Sequence, residues 1–392
     1  MKLDRFLGVE CENKKLLYRT YFAFFVTGLM SNVLGSLLPC MAEDYGLSLT
    51  FQGTVLSLNQ VGNLLAVWLS GYLPYALGRK KSTVLLSSGI VLGFVGVVLS
   101  GNPVLLAVCF VLLGLGRGNM SNITNVVVGE TVENKVAGLN LLHGTFAIGA
   151  FISPFLVVLV GSLRWRSVAM IIALAMAVAL VLLSGSNLQN TKRERAKGQG
   201  EFPKSFSFWL NTLILFCYLC AETTFMGWLV TYFINQGIFT SALANTLSAL
   251  LWLMILASRL LTVVLSKKVK KERLILILGL CMTLFTLALV CTTNSVWAAI
   301  CVLCIGFSMG GIYPTTLATM EKQYSESTVA TGICIGVATL GAVIMPSIVG
   351  YLAEHVGMNF ALRSILIPLV IMLVLMVLKL VANPDAKPNT QN

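Results

Sequence analysis

Glu222 stands in the run LCAETTFMGWLV, residues 219–230, with no lysine or arginine within ten residues on either side. A carboxylate in such a run is costly to bury unless charge or hydrogen bonds compensate it. Burial favours the neutral acid, whereas a nearby cation or a bound ligand favours the ionised form. A carboxyl balanced between the two can take up and release a proton, which makes Glu222 a candidate ion-coupling group. Its structural alternative is a permanent pairing with a neighbouring helix. His143, in NLLHGTF, is a second candidate for proton exchange. Satisfaction by an adjacent helix is the alternative there.

Other polar residues in apolar runs suit ligand recognition. Arg117, in GLGRGNMSN, carries a planar fork of donors that can grip a carboxylate or phosphate, neutralise Glu222, or bridge to helix carbonyls. Asn119, Asn122 and Asn125 recur at i, i+3 and i+6, along one broad helix face. Asn59 and Asn63 are one turn apart, and Asn32 stands alone in an earlier run. Amides donate and accept hydrogen bonds, as a hydroxyl-rich or amide solute requires; hydrogen bonding between helices would use them equally well. Trp228, nearly two turns beyond Glu222, can stack on a ring or close a gate, or sit in an interfacial aromatic belt. Arg259 and the lysines that follow it are expected to anchor a loop at the membrane surface.

The elements that must hold these groups follow from composition. Of 392 residues, 57% are hydrophobic and 11% charged, whereas a soluble domain has about 25% charged. A bilayer span needs about 20 apolar residues. Twelve such runs occur, near 16–40, 51–76, 82–100, 104–129, 136–160, 164–185, 206–235, 241–265, 272–291, 295–319, 328–353 and 360–382. The fold class is an all-α polytopic membrane protein; a β-barrel would show short alternating segments instead. The opening MKLDRFLGVECENKK lacks the apolar core of a cleavable signal, so the first span is expected to serve as the insertion signal.

The net charge of +12 needs no nucleic acid to explain it. With both termini in the cytoplasm, all Lys and Arg except Arg117, Arg164, Arg166, Arg259 and Arg363 fall on the cytoplasmic side, as the positive-inside rule requires. Cys217/Cys220 and Cys301/Cys304 have C-x-x-C spacing, but inside apolar runs cysteine is expected to behave as a small apolar residue. No metal set, nucleophile–base pair or nucleotide loop is visible, so neither an enzyme nor a cofactor is expected.

The long polar stretch at 186–205 divides six spans from six. The predicted organisation is an N-terminal bundle over 1–185, a cytoplasmic linker over 186–205 and a C-terminal bundle over 206–392. Spans 3, 6, 9 and 12 carry no charged residue, Asn or Gln away from their ends, whereas spans 1, 2, 4, 5, 7 and 8 do. Strongly polar groups in hydrocarbon face protein or a water-filled cavity, so every third helix is expected to be peripheral.

One loop carries a family signature. GYLPYALGRKK, residues 71–81, resembles the G-x-x-x-D-R/K-x-G-R-K loop of the major facilitator superfamily, with Gly71, Gly78, Arg79 and Lys80 matching. Tyr75 occupies the usual acidic position and Ala76 the next basic one. In the family that acid helps latch the two halves, so the resemblance implies a gating loop whose latch is altered here. NLLHGTFAIGAFISP (140–154), AETTFMGWLVTYF (221–233) and GFSMGGIYPTTLATM (306–320) are similar to spans 5, 7 and 10 of the branch containing fucose:proton symporters and sodium-dependent glucose transporters.

The resemblance implies a major facilitator fold of twelve transmembrane helices in two six-helix bundles, with a substrate site near the midplane between the halves. It implies an inner (plasma) membrane secondary transporter, expected to be monomeric, moving a small polar organic solute, sugar or polyol first, with a proton or sodium as coupling ion. The alternative is an anionic metabolite, drug or carboxylate siderophore, with Arg117 as the anchor. The carboxylates that proton-coupled sugar members carry in spans 1 and 4 are replaced here by Asn32 and by Asn119, Asn122 and Asn125.

Overall fold

The computed structural model describes residues 7–9, 13–160, 164–186, 188, 205–266, 268–325 and 328–382. Most of the predicted linker therefore lies outside the described residues. The chain forms helices α1 (Lys14–Tyr45), α2 (Leu49–Leu77), α3 (Arg79–Leu99), α4 (Pro103–Thr131), α5 (Lys135–Val160) and α6 (Trp165–Ser184). These are followed by α7 (Phe206–Asn235), α8 (Ser241–Leu265), α9 (Lys271–Cys291), α10 (Ser295–Leu317) and α11 (Thr328–His355). The last predicted span is two helices, α12 (Met358–Arg363) and α13 (Leu366–Ala382). Among the described residues there is no strand, only an isolated bridge between Val9 and Val132.

Eleven of these segments are long and apolar enough to cross a bilayer. Only α2 among the predicted twelve falls short on apolarity. It has 29 residues, ample for a span, but its centre holds Asn59, Gln60 and Asn63. The chain is a multi-pass membrane protein.

Two compact units emerge, Met1–Leu47 with Thr54–Lys192, and Arg193–Asn392 with the short segment Ser48–Gly53. Within the first, α1 packs on α5 and α6, and α3 on α4 and α6. The same pairings recur six predicted spans later in the second, where α7 packs on α11 and α13, and α9 on α10 and α13. The N-caps repeat as well. Asn102 accepts from the amides of Val104 and Leu105 at the start of α4. Asn294 does the same for Val296 and Trp297 at the start of α10. An N-cap side chain of this kind satisfies amides that the helix itself cannot.

Close helix approach depends on glycine. A β-carbon on Gly114 of α4 would lie 1.8 Å from the Asn59 carbonyl oxygen of α2. In the second unit, a β-carbon on Gly310 of α10 would lie 2.3 Å from the Ile255 carbonyl oxygen of α8. Such packing is how helices associate without a hydrophobic driving force.

Candidate functional site

Each unit carries its own polar constellation. In the first, Arg117 on α4 donates from Nη2 to Gln60 Oε1 on α2 at 2.8 Å. Gln60 is neutral, and this bond orients the guanidinium. Arg117 is half-buried.

The predicted asparagines reach neighbouring helices. Asn32 Nδ2 donates to the Ala150 carbonyl at 3.0 Å, joining α1 to α5. Asn59 Nδ2 donates to the Phe110 carbonyl at 3.1 Å, joining α2 to α4. Asn119 Nδ2 donates to Ser87 Oγ at 2.8 Å, joining α4 to α3. Asn122 Nδ2 donates to Ser70 Oγ at 2.8 Å, joining α4 to α2. Asn32, Asn59 and Asn119 are buried, whereas Asn63 and Asn122 are half-buried. Asn125 bonds back within its own helix, to the Ser121 carbonyl. His143 on α5 is exposed, with its ring edge-on to Phe24 at 5.6 Å.

The gating-loop residues also lie in the first unit. Gly71 is in the last turns of α2. Gly78 takes φ +81°, a conformation that favours glycine, in the turn between α2 and α3. Arg79 makes a bidentate pair with Glu130 at the end of α4, at 2.6 and 3.0 Å. Lys80 is exposed. Glu130 was not singled out from sequence, because a lone acid at a span end is unremarkable without its partner.

In the second unit Glu222 lies at the middle of α7, half-buried. Tyr218, one turn earlier and fully buried, donates its phenol to Glu222 Oε1 at 3.0 Å. The phenol oxygen also lies 3.1 Å from the Met309 carbonyl of α10. The Tyr313 ring packs near that of Tyr218, centroids 6.2 Å apart. Tyr218 lies in the electrostatic field of both Glu222 and Arg259 on α8. The Nε of Arg259 is buried, so the residue expected to anchor a surface loop belongs in part to this interior group. Trp228 is fully buried, and its indole N–H meets no acceptor among the described residues.

Tyr218 was not singled out from sequence, although its i, i+4 spacing to Glu222 could have identified it. Lys379 was also missed. It stands at the end of the last apolar run, where a lysine reads as a flank. In the structure it is 1% exposed and donates to Asn211 Oδ1 of α7 and to Thr319 Oγ1 just beyond α10. The described cysteines are free thiols, with Cys217, Cys220 and Cys301 buried.

The model of the Major Facilitator Superfamily matches residues 20–335. Bypass of stop codon protein 6 of Saccharomyces cerevisiae is 23% identical over 393 residues, covering 86% of this chain and 76% of the relative. A Protein TsgA homolog of Erwinia tasmaniensis is 20% identical over 357 residues, covering 89% and 90%. Among solved structures, a bacterial homolog of the human lysosomal transporter Spinster, inward-facing and occupied, superposes with a TM-score of 0.78 at 12% identity, covering 94% of this chain and 97% of that one. A point mutant of the nucleoside transporter NupG superposes with a TM-score of 0.77 at 12% identity, covering 93% and 99%.

Proposed function

The chain belongs to the Major Facilitator Superfamily, and as a transporter of that family we propose that it moves a small polar organic solute, sugar or polyol first, by proton-coupled alternating access. Glu222 carries this reading: a half-buried carboxyl in mid-helix, held by the Tyr218 phenol and within reach of the same field as Arg259. Intramembrane ionisable groups are functional by default. Asn63, Asn122, the Trp228 N–H and Arg117 are the proposed substrate contacts. Asn32, Asn59 and Asn119 act with them by fixing the helices that present those groups. His143 is a proposed secondary proton group, and the turn at Gly71, Gly78, Arg79 and Lys80 a proposed gating element. Both termini are proposed to be cytoplasmic in an inner (plasma) membrane, the protein a monomer, and two six-helix bundles joined by the 186–205 linker the moving parts.

The planar donor fork of Arg117, half-buried on α4, supports a second reading, an anionic solute gripped by the guanidinium. Thermal stabilisation of purified protein by a panel of sugars, polyols, organic acids and drugs, at mildly acidic and mildly alkaline pH, separates the two. Stabilisation by neutral sugars, with its pH dependence lost in Glu222→Gln, is expected. Stabilisation by carboxylates alone, surviving Glu222→Gln and abolished by Arg117→Gln, overturns the sugar reading in favour of the anion.

A further inference from the structure

Tyr218 has one hydroxyl proton and two acceptors within reach, Glu222 Oε1 at 3.0 Å and the Met309 carbonyl oxygen at 3.1 Å. A phenol donates one hydrogen bond at a time and can also accept. While Glu222 is ionised, the charge-assisted bond to the carboxylate holds the phenol proton. The Met309 carbonyl then has no donor from α7. When Glu222 takes up one proton from water, its carboxyl donates to the phenol oxygen. The phenol is then free to turn its own proton to Met309. Both contacts are satisfied in that state, and no further proton is gained or lost.

Met309 adjoins an interruption in α10. Pro314 lies inside α10 and has no N–H, so the Gly310 carbonyl lacks its intrahelical donor. Gly310 and Gly311 follow Met309 directly. Proline and paired small residues are the usual sites of helix bending. We infer that Tyr218 relays the charge state of Glu222 to a hinge in α10, tethering that hinge through the Met309 carbonyl only when Glu222 is protonated. This rests on the proposed proton coupling through Glu222. Tyr218 is on this view a positioning residue, which moves no net proton.

Among the described residues, Arg259 from α8 and Tyr313 from α10 lie around the pair, and Cys334 from α11 lies near Tyr313. Lys379 from α13 lies lower, at Asn211, and Arg363 of α12 lies at the far end, near Tyr232. Of these, Arg259 is the cation in the field of Tyr218. Tyr218 is the group that links Glu222 to the α10 backbone.

The test combines two readouts on protein reconstituted in liposomes. Infrared titration asks whether a protonated carboxyl band appears with acid and is absent in Glu222→Gln. If no such band exists, the coupling reading itself fails. With the band present, hydrogen exchange over residues 305–317, corrected for intrinsic rates, tests the relay. Protection in the wild type is expected to be higher at acidic than at alkaline pH. Glu222→Gln, whose amide can donate to the phenol oxygen, is expected to hold the high level at both pH values. Tyr218→Phe is expected to hold the low level at both. A swing that persists in Tyr218→Phe overturns the relay and leaves Glu222 coupling intact. Should Tyr218→Phe not fold, Pro314→Ala, which restores the donor to Gly310, is expected to shrink the swing. An undiminished swing in that variant overturns the hinge.

Discussion

The Tyr218 phenol lies 3.0 Å from Glu222 Oε1, one helical turn away on the same face of α7. The carboxyl in the middle of this span is therefore not left to hydrocarbon, and its partner is a group that can donate to it or accept from it. If the proposed coupling holds, Glu222→Gln abolishes uptake driven by an imposed proton gradient while exchange of labelled for unlabelled solute persists. A transport assay in liposomes measures both. Loss of exchange as well as uptake would indicate a substrate-binding or structural role for Glu222 instead.

Lys379 and Asn211 predict an asymmetry in stability. The ammonium is buried and bonded to Asn211 and Thr319. Asn211→Leu removes a partner and leaves the charge buried, at a cost of about 3 kcal/mol. Lys379→Met removes the charge, keeps most of the volume and is expected to cost about 1 kcal/mol or less. Thermal unfolding in detergent should therefore rank Asn211→Leu well below Lys379→Met. The reverse order would mean that Lys379 is hydrated.

Arg79 and Glu130 form the bidentate pair at the α2–α3 turn, with side chains 10% and 39% exposed. The partial exposure of Glu130 limits its worth to about 1–2 kcal/mol. A double-mutant cycle with Arg79→Met and Glu130→Gln should show a coupling of that size. Additive effects would mean that the pair contributes no net stability.

Two glycines on α4 give a matched comparison. Gly114→Ala places a methyl 1.8 Å from the Asn59 carbonyl oxygen, so α2 and α4 must part. Gly129 has nothing within 4 Å of the same position. There the alanine should add up to about 1 kcal/mol from helix propensity. Melting temperatures should move in opposite directions.

Arg117→Lys keeps the charge but loses the planar fork. On the anion reading, apparent affinity for the solute falls by about tenfold or more, equivalent to roughly 1.4 kcal/mol. On the sugar reading, the change is smaller for neutral solutes. Equilibrium binding of whichever solute stabilises the protein decides between them.

Much of this molecule was legible in its residues. Long apolar runs have one stable form in a bilayer, the helix, because every backbone polar group must be satisfied internally. The long helices and their approximate bounds therefore follow from the sequence, although the last run folds as two helices and α2, a full-length helix, is less apolar than the other eleven segments. Loop-signature residues likewise pointed to the family. What sequence left open is which partner each polar group meets. Asn32, Asn59 and Asn119 could as well have faced a cavity; only the rotation of each helix about its axis turns their amides onto Ala150, Phe110 and Ser87. Arg259 and Lys379 looked like surface cations because they sit near span ends. Their burial depends on which neighbours pack across those ends. Helical periodicity names the face a residue occupies, but the neighbour that face meets is decided by packing between segments far apart in the chain. That is why Gln60, Glu130 and Asn211 acquire their significance only in the folded protein, whereas Tyr218 lies one turn from Glu222 on the same helix.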